Sequence, residues 1–294
     1  MSQSEQPQLS EAGGEEHWDV LISPRSKMVH VDFKGVWRYR DLIWMFFKRD
    51  FITVYKQTIL GPLWYLIQPL LTSATYYVVF GKIANLSTNG LPPILFYLSG
   101  IVLWTYFSAC LTNNSEIFSK NASLFGKVYF PRLVVPISVA MSGLVAFAIQ
   151  FVLLMVMTLG FIFVGNDVAP LGLSVLAAPL LVVYVAALGM GVGLIVSALT
   201  VRFRDLAFAA GFITQLWMYA SPVVYPFGQI PEKYHWFFHL NPMTAPIETM
   251  RAFVFGTPPV SASLWLANLA VTLALLVAGL LLFTRAEASA MDTV

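Results

Sequence analysis

Glu248 and Arg251 lie three residues apart in a chain in which only 11% of the residues are charged. On a helix that spacing brings the carboxylate and the guanidinium to one face. The pair reads either as a local helix contact or as a polar latch at a pore exit. His235 and His239 are four apart, but no Glu or third ligand accompanies them, so they read as interfacial histidines rather than a metal site. Gly126-Lys127 is followed by Val128, and no Gly-x-x-x-x-Gly-Lys-Ser/Thr occurs anywhere, so no P-loop nucleotide site is expected. Gly189-Met-Gly-Val-Gly193 is not a dinucleotide loop. It lies in the middle of an apolar run, where small residues let helices approach closely. The single Cys110 also sits in an apolar run, so no disulfide forms within the chain and the thiol is expected to pack. No carboxylate pair and no Ser–His or Cys–His set shares a segment. The chain is therefore expected not to be an enzyme.

Aromatic side chains are the other resource. There are 23 Phe, 12 Tyr and 8 Trp, more than one role has to absorb. Membrane-interface belts and packing account for most of them. The candidates for lining a path are Tyr65, Tyr76, Tyr77, Trp104, Tyr106, Trp217, Tyr219 and Tyr225. A flat ring face takes C–H groups, and a Tyr hydroxyl or Trp N–H takes polar ones. Sugar rings fit that description. The competing reading is that these side chains face lipid or neighbouring helices.

The elements that must position these groups follow from where charge is missing. Asp, Glu, Lys and Arg are absent from six stretches: Gln57–Gly81, Ile83–Ser115, Leu133–Asn166, Val168–Val201, Leu206–Pro231 and Ala252–Thr284. Each exceeds the ~20 apolar residues that cross a ~30 Å hydrocarbon core. With a mean hydropathy of +0.73, the chain reads as an all-α integral membrane protein with six transmembrane helices, near Ile59–Gly81, Ile94–Thr112, Val134–Val164, Leu173–Thr200, Ala207–Tyr225 and Ala262–Phe283. Gly165-Asn166-Asp167 is turn chemistry and separates the third from the fourth. No ionisable residue lies within these spans, so an intramembrane proton relay is not expected.

Charge asymmetry sets the orientation. If both termini are cytoplasmic, all of the 17 Lys and Arg except Lys82, Lys233 and Arg251 fall inside. Residues 1–36 read as a cytoplasmic tail with a small hairpin across 18–33, and the polar start is not a cleaved signal peptide. Residues 37–57 read as an amphipathic helix in the inner interface, with Ile43, Trp44, Phe47, Phe51, Val54 and Tyr55 on its apolar face and Arg38, Asp41, Lys48, Arg49 and Lys56 opposite. Residues 58–286 form the transmembrane domain and 287–294 a short cytoplasmic tail. Between spans five and six, Trp236–Leu240 and Ala245–Phe255 are broken by Pro231, Pro242, Pro246 and Pro258. Pieces of that length do not span and fit short re-entrant or gate helices.

Five segments together resemble one family. Lys56-Gln-Thr-Ile-Leu-Gly-Pro-Leu-Trp-Tyr-Leu-Ile-Gln-Pro69 resembles the first-span signature of type-2 ABC exporter permeases. Gly126-Lys-Val-Tyr-Phe-Pro-Arg132 is similar to the stretch after their cytoplasmic gate helix, and Arg202-Phe-Arg-Asp205 to their short inside loop. Ser221-Pro-Val-Val-Tyr-Pro226 resembles the end of their fifth span, and Leu240-Asn-Pro-Met243 the turn in their outer gate helices. The ordered set runs from about residue 37 to the C-terminus and leaves residues 1–34 unexplained. The subgroup it most resembles exports O-antigen, capsule and teichoic-acid polymers.

The resemblance implies a half-transporter in the bacterial cytoplasmic membrane. Two copies pair, and two copies of an ABC ATPase subunit dock beneath and bind the ATP and Mg that this chain does not. A lipid-linked polysaccharide is the expected cargo, and no nucleic acid is expected. Glu116, Lys120, Asn121, Leu124, Phe125, Lys127, Phe130, Arg132, Arg204 and Asp205 are then expected to couple to the ATPase, because the only inside loops between spans carry them. Asn241, Glu248 and Arg251 fall at the outer gate. A type-2 permease for a small drug or lipid, and a membrane glycosyltransferase, are the competing readings.

Overall fold

The computed structural model describes residues 33–56, 60–121, 125, 130–165, 172–203 and 205–291. The hairpin expected across residues 18–33 lies outside them but for Phe33, as do Leu124, Lys127 and Arg204. Among the described residues every regular element is helical. In chain order they are α1 (Phe33–Arg38), α2 (Arg40–Lys56), α3 (Trp64–Tyr76), α4 (Pro93–Ser115), α5 (Ile117–Lys120), α6 (Val134–Phe163), α7 (Ala178–Thr200), α8 (Leu206–Tyr219), α9 (His235–Leu240), α10 (Thr244–Phe255) and α11 (Ala262–Met291).

Among the described residues, four helices are long and apolar enough to cross a membrane: α4, α6, α7 with the 3-10 turn before it (Leu173–Thr200), and α11 over Ala262–Glu287. The other two charge-free runs are built differently. The first is a 3-10 turn at Gly61–Leu63, then α3 with Pro69 inside it, then a π-helical stretch at Tyr77–Ile83. Proline removes a backbone donor, and π turns interrupt the regular helical ladder. The fifth run yields only the 14 residues of α8, about 21 Å at ~1.5 Å per residue. It unwinds at Ser221-Pro222, where a proline cannot continue the ladder. The short helices α9 and α10 stand where the prolines divide the segment between α8 and α11. α10 ends at Gly256, whose φ of 67° is the left-handed stop that glycine adopts without penalty.

α4 is the centre of the bundle and touches α3, α6, α7, α8 and α10. Tyr97, Leu98, Val102, Leu103 and Phe107 on it are fully buried. α7 lies between α4 and α11, and its glycines set the spacing on both sides. A Cβ at Gly193 would come 2.6 Å from Asn114 Cβ and 2.7 Å from Leu111 O on α4. A Cβ at Gly191 would come 2.8 Å from Leu276 Cα on α11. Gly189-Met-Gly-Val-Gly193 thus serves close helix packing, as its mid-run position predicts.

α2 carries two apolar faces. Ile43 and Phe46 are buried with Val36 against Phe130, Val134 and Val135 at the start of α6. Trp44, Phe47 and Phe51 stack in sequence, with ring centroids 4.8 and 6.2 Å apart, and Trp44 is half exposed. The expected apolar face therefore divides. Phe46, outside that face, takes the packing role with Ile43, while Trp44 and Phe51 of the stack stay exposed. Arg38, Lys48 and Arg49 are exposed.

Candidate substrate gate and coupling end

The unwinding after α8 frees backbone carbonyls that would otherwise close a helix. Two side chains from the α9–α10 region take them up. Asn241, buried just past α9, donates from Nδ2 to Ala220 O and Ser221 Oγ, both at 3.0 Å. Its Oδ1 accepts Trp217 Nε1 at 3.0 Å and the Met243 backbone N–H at 3.1 Å. One amide thus holds the end of α8, the unwound segment and the entry to α10.

Arg251 supplies the second bracket. It is 1% exposed. Nη1 donates to Glu248 Oε1 at 2.8 Å, Nη2 donates to Val223 O at 3.0 Å, and the guanidinium lies 3.7 Å from the centre of the Phe96 ring. Glu248 Oε1 also accepts the Phe227 N–H at 3.1 Å. Burial pulls the Arg251 guanidinium below its ordinary pKa, and the Glu248 carboxylate opposes that shift. The pair is therefore more than a local helix contact, since it pins residues 223–227 to α10 and to α4. Val223 itself sits against Gly100 of α4, where an added Cβ would come 3.1 Å from its side chain.

A third bracket was not singled out from sequence. Asn268 of α11 accepts the Ala245 N–H at 2.8 Å and donates to His239 O at 2.8 Å. Tyr184 of α7 donates to Pro242 O at 2.8 Å and accepts from Thr272 at 2.6 Å. Asn268 is the sole amide side chain in the charge-free run Ala252–Thr284. A lone amide in such a run is the signal that points to it, because polar side chains at that depth face protein.

The aromatic candidates fall into two places. Trp104 is buried, with its ring 5.0 Å from Phe107 and 6.4 Å from Trp217. Tyr76 of α3 is half-buried, edge-on to Tyr97 at 6.2 Å, and donates to Met218 Sδ at 3.5 Å. Tyr219 is 44% exposed, and its carbonyl accepts the Tyr225 hydroxyl at 3.0 Å. Tyr77 is half-buried, with Lys82 Nζ 5.3 Å from its ring. These gather where α3, α4 and α8 meet, near the gate helices. Tyr65 and Tyr106 line a different cavity, and the buried Tyr106 donates to Ala140 O at 3.2 Å.

At the other end of the bundle, the expected coupling residues separate into an inner and an outer set. Phe125 and Phe130 lie 5.9 Å apart, Phe118 stacks on Phe283 of α11 at 4.9 Å, and Phe46 of α2 lies 6.0 Å from Phe130. The Arg132 guanidinium sits 4.9 Å from the Phe125 ring and 3.9 Å from Glu287 Oε1. This aromatic cluster locks α2, α5, α6 and α11 together. Lys120 and Asp205 are exposed, and Lys120 pairs with Glu116 at 2.6 Å across one helical turn. Asn121 donates to Ile117 O at 3.0 Å.

Residues 41–255 match the family described as ABC-2 type transporter. The chain belongs to that family. As an ABC-2 type transporter chain it is an integral membrane permease subunit and not itself the catalytic one. The matched stretch holds every candidate path, coupling and gate residue and ends with α10. Relatives resemble it over most of their length. It is 31% identical over 219 residues to an O-antigen export system permease protein RfbA of Klebsiella pneumoniae, covering 74% of this chain and 82% of that protein. It is 26% identical over 245 residues to an O-antigen export system permease protein RfbA of Myxococcus xanthus, covering 83% of this chain and 91% of that protein.

Proposed function

We propose that this chain is the membrane-spanning half of an ATP-driven exporter that moves a lipid-linked polysaccharide across the bacterial cytoplasmic membrane. The observation that carries this reading is the likeness to O-antigen export permeases across most of both chains. Two copies would pair, and two copies of a partner ATPase would bind ATP and Mg. Both termini would be cytoplasmic. The four long helices would be joined by two more crossings: the run from Gly61 to Ile83, and α8 with the buried segment after it.

The chemistry of the chain supports the same reading. Along the exit path a long, variable polymer must slide, and a series of deep hydrogen-bonded sites there would hold each repeat too strongly. Stacking on rings is shallow and tolerant of sugar identity. The aromatic side chains where α3, α4 and α8 meet supply such surfaces. The brackets at Asn241 and Arg251 would hold the exit in shape, and Lys120 and Asp205 would meet the ATPase.

Deletion of the chain tests this. Surface polysaccharide should vanish while lipid-linked polymer accumulates inside, and the wild-type chain should restore export only together with the partner ATPase. Normal surface polysaccharide in the deletion strain, with loss of a small drug's efflux instead, would overturn the reading.

A further inference from the structure

A cavity of about 640 Å³ lies between α2, α3, α4, α5 and α6, away from the gate. That volume is within the range of small-molecule sites. Along α6 it runs from Val135 to Gln150, roughly 22 Å at ~1.5 Å per residue. It therefore connects the α5 end of the bundle with the middle of α6.

Its lining differs from the apolar faces around it. Gln68 of α3, Asn113 of α4, Asn121 after α5, and Ser142 and Gln150 of α6 all converge on it. Gln150 is 2% exposed, and its Oε1 has no hydrogen-bond partner among the described residues. A buried amide acceptor in this state calls for a donor from outside the fold. The charged groups on the wall are already matched. Arg49 pairs with Asp50 at 2.8 Å, and Lys120 pairs with Glu116 at 2.6 Å. An anion would have to break one of these pairs. Ring faces complete the wall, with Tyr106 5.5 Å from Phe147. Neutral amides, hydroxyls and ring faces together match a neutral polyhydroxylated ring.

From this we infer that the cavity is a binding site for a sugar unit of the lipid-linked glycan, on the loading side of the permease and separate from the aromatic residues near the gate. The inference rests on the export reading above and adds a named site to it. Asn113 and Gln68, both exposed, bond the ring's edge, Tyr65 offers a half-buried ring and hydroxyl, and the Gln150 amide turns toward the cavity to accept a sugar hydroxyl.

The test uses the intact transporter with its ATPase in cells that make the polymer. A photo-crosslinking amino acid replaces Thr53, which lines the cavity, and in a control replaces Leu273, exposed on α11, where no sugar adduct is expected. The Thr53 position should yield a sugar-bearing adduct that disappears when lipid-linked glycan is not synthesised. Gln150→Leu and Asn113→Leu should each lower that adduct and polymer export about five- to tenfold, the factor one ordinary hydrogen bond gives. Asn113 is exposed, so its variant remains informative if Gln150→Leu fails to fold. Adducts with phospholipid alone, adducts that persist without lipid-linked glycan, or unchanged export in Asn113→Leu at wild-type protein level would overturn the site. Those outcomes leave the export reading standing, because wild-type export against the deletion strain tests that separately.

Discussion

The indole N–H of Trp217 donates to Asn241 Oδ1 across 3.0 Å. The bond joins the last turn of α8 to the link between α9 and α10, and so a path candidate to a gate candidate. The same Asn241 amide holds Ala220 O and Ser221 Oγ. One side chain thereby ties the end of α8 to the entry of α10.

Asn241→Leu should lower the stability of the purified permease by about 2–4 kcal/mol, because it orphans several buried polar groups at once. Trp217→Phe removes the donor and part of the indole packed on Phe107 and Trp104, so about 1–3 kcal/mol is expected. Denaturant or thermal unfolding in detergent reads both. Equal, negligible losses would show that the bracket carries no load.

Arg251 and Glu248 should behave as an asymmetric pair. Arg251→Met leaves the Glu248 carboxylate and Val223 O without their partner, and breaking a buried pair from one side costs about 3–5 kcal/mol. Glu248→Gln should cost less, since an amide oxygen still accepts from Arg251 and from Phe227 N–H. Arg251→Lys should fail to rescue, because one ammonium cannot reproduce the guanidinium's fork toward Glu248 and Val223. Membrane levels of folded protein and unfolding midpoints would rank the three. A fully stable Arg251→Met would contradict the assignment.

The glycines of α7 give a packing test with an internal control. Gly191→Val and Gly193→Val should abolish folded protein, because a first side-chain atom already meets the neighbouring helix. Gly211→Ala on α8 has open space around it and should be neutral or stabilising by about 0.5–1 kcal/mol. Size-exclusion profiles of the solubilised variants distinguish the cases.

Much of this was legible in the chain, and the remainder has a common cause. α4, α6, α7 and α11 follow from charge-free runs, because crossing length is a property of one helix alone. α10 follows from the prolines around it, and its stop at Gly256 comes from the fold. The packed face of α2 did not follow. Phe46 and the Trp44–Phe47–Phe51 stack both give helical periodicity, and only contact with Phe130 and Val134 decides which is buried. The brackets were half legible. Glu248 and Arg251 are neighbours in sequence, but Arg251 meets Val223 and Phe96 only in the fold, and Asn268 meets Ala245 only there. Spacing along the chain carries no trace of such long-range partners.

The coupling end should also divide by exposure. A cysteine at Lys120 or Asp205 should cross-link to the partner ATPase, whereas Arg132→Ala should act on folding, since its guanidinium packs on Phe125 and faces Glu287. Failure of both cysteines to cross-link in an assembled, active transporter would move the contact elsewhere.

The aromatic candidates should separate along the same line. Trp104 is enclosed by Phe107 and Trp217, so Trp104→Ala opens a void and should cost about 3–5 kcal/mol. Its protein level and assembly should fall before export per molecule does. Tyr219 is exposed, and truncating an exposed side chain changes stability by about 0.5 kcal/mol or less, whereas the half-buried Tyr77 packs on the core and its truncation should cost about 1–2 kcal/mol. Tyr219→Ala also leaves intact the backbone carbonyl that holds the Tyr225 hydroxyl. Tyr219→Ala should therefore leave assembly and ATPase docking normal while lowering polymer export severalfold, and Tyr77→Ala should lower export per assembled complex by a similar factor despite some loss of protein. The discriminating measurement is export divided by the amount of assembled complex. If that ratio stays at the wild-type value for both tyrosines and falls only where assembly falls, these rings are packing or lipid-facing groups, and the polymer must find its stacking surface elsewhere.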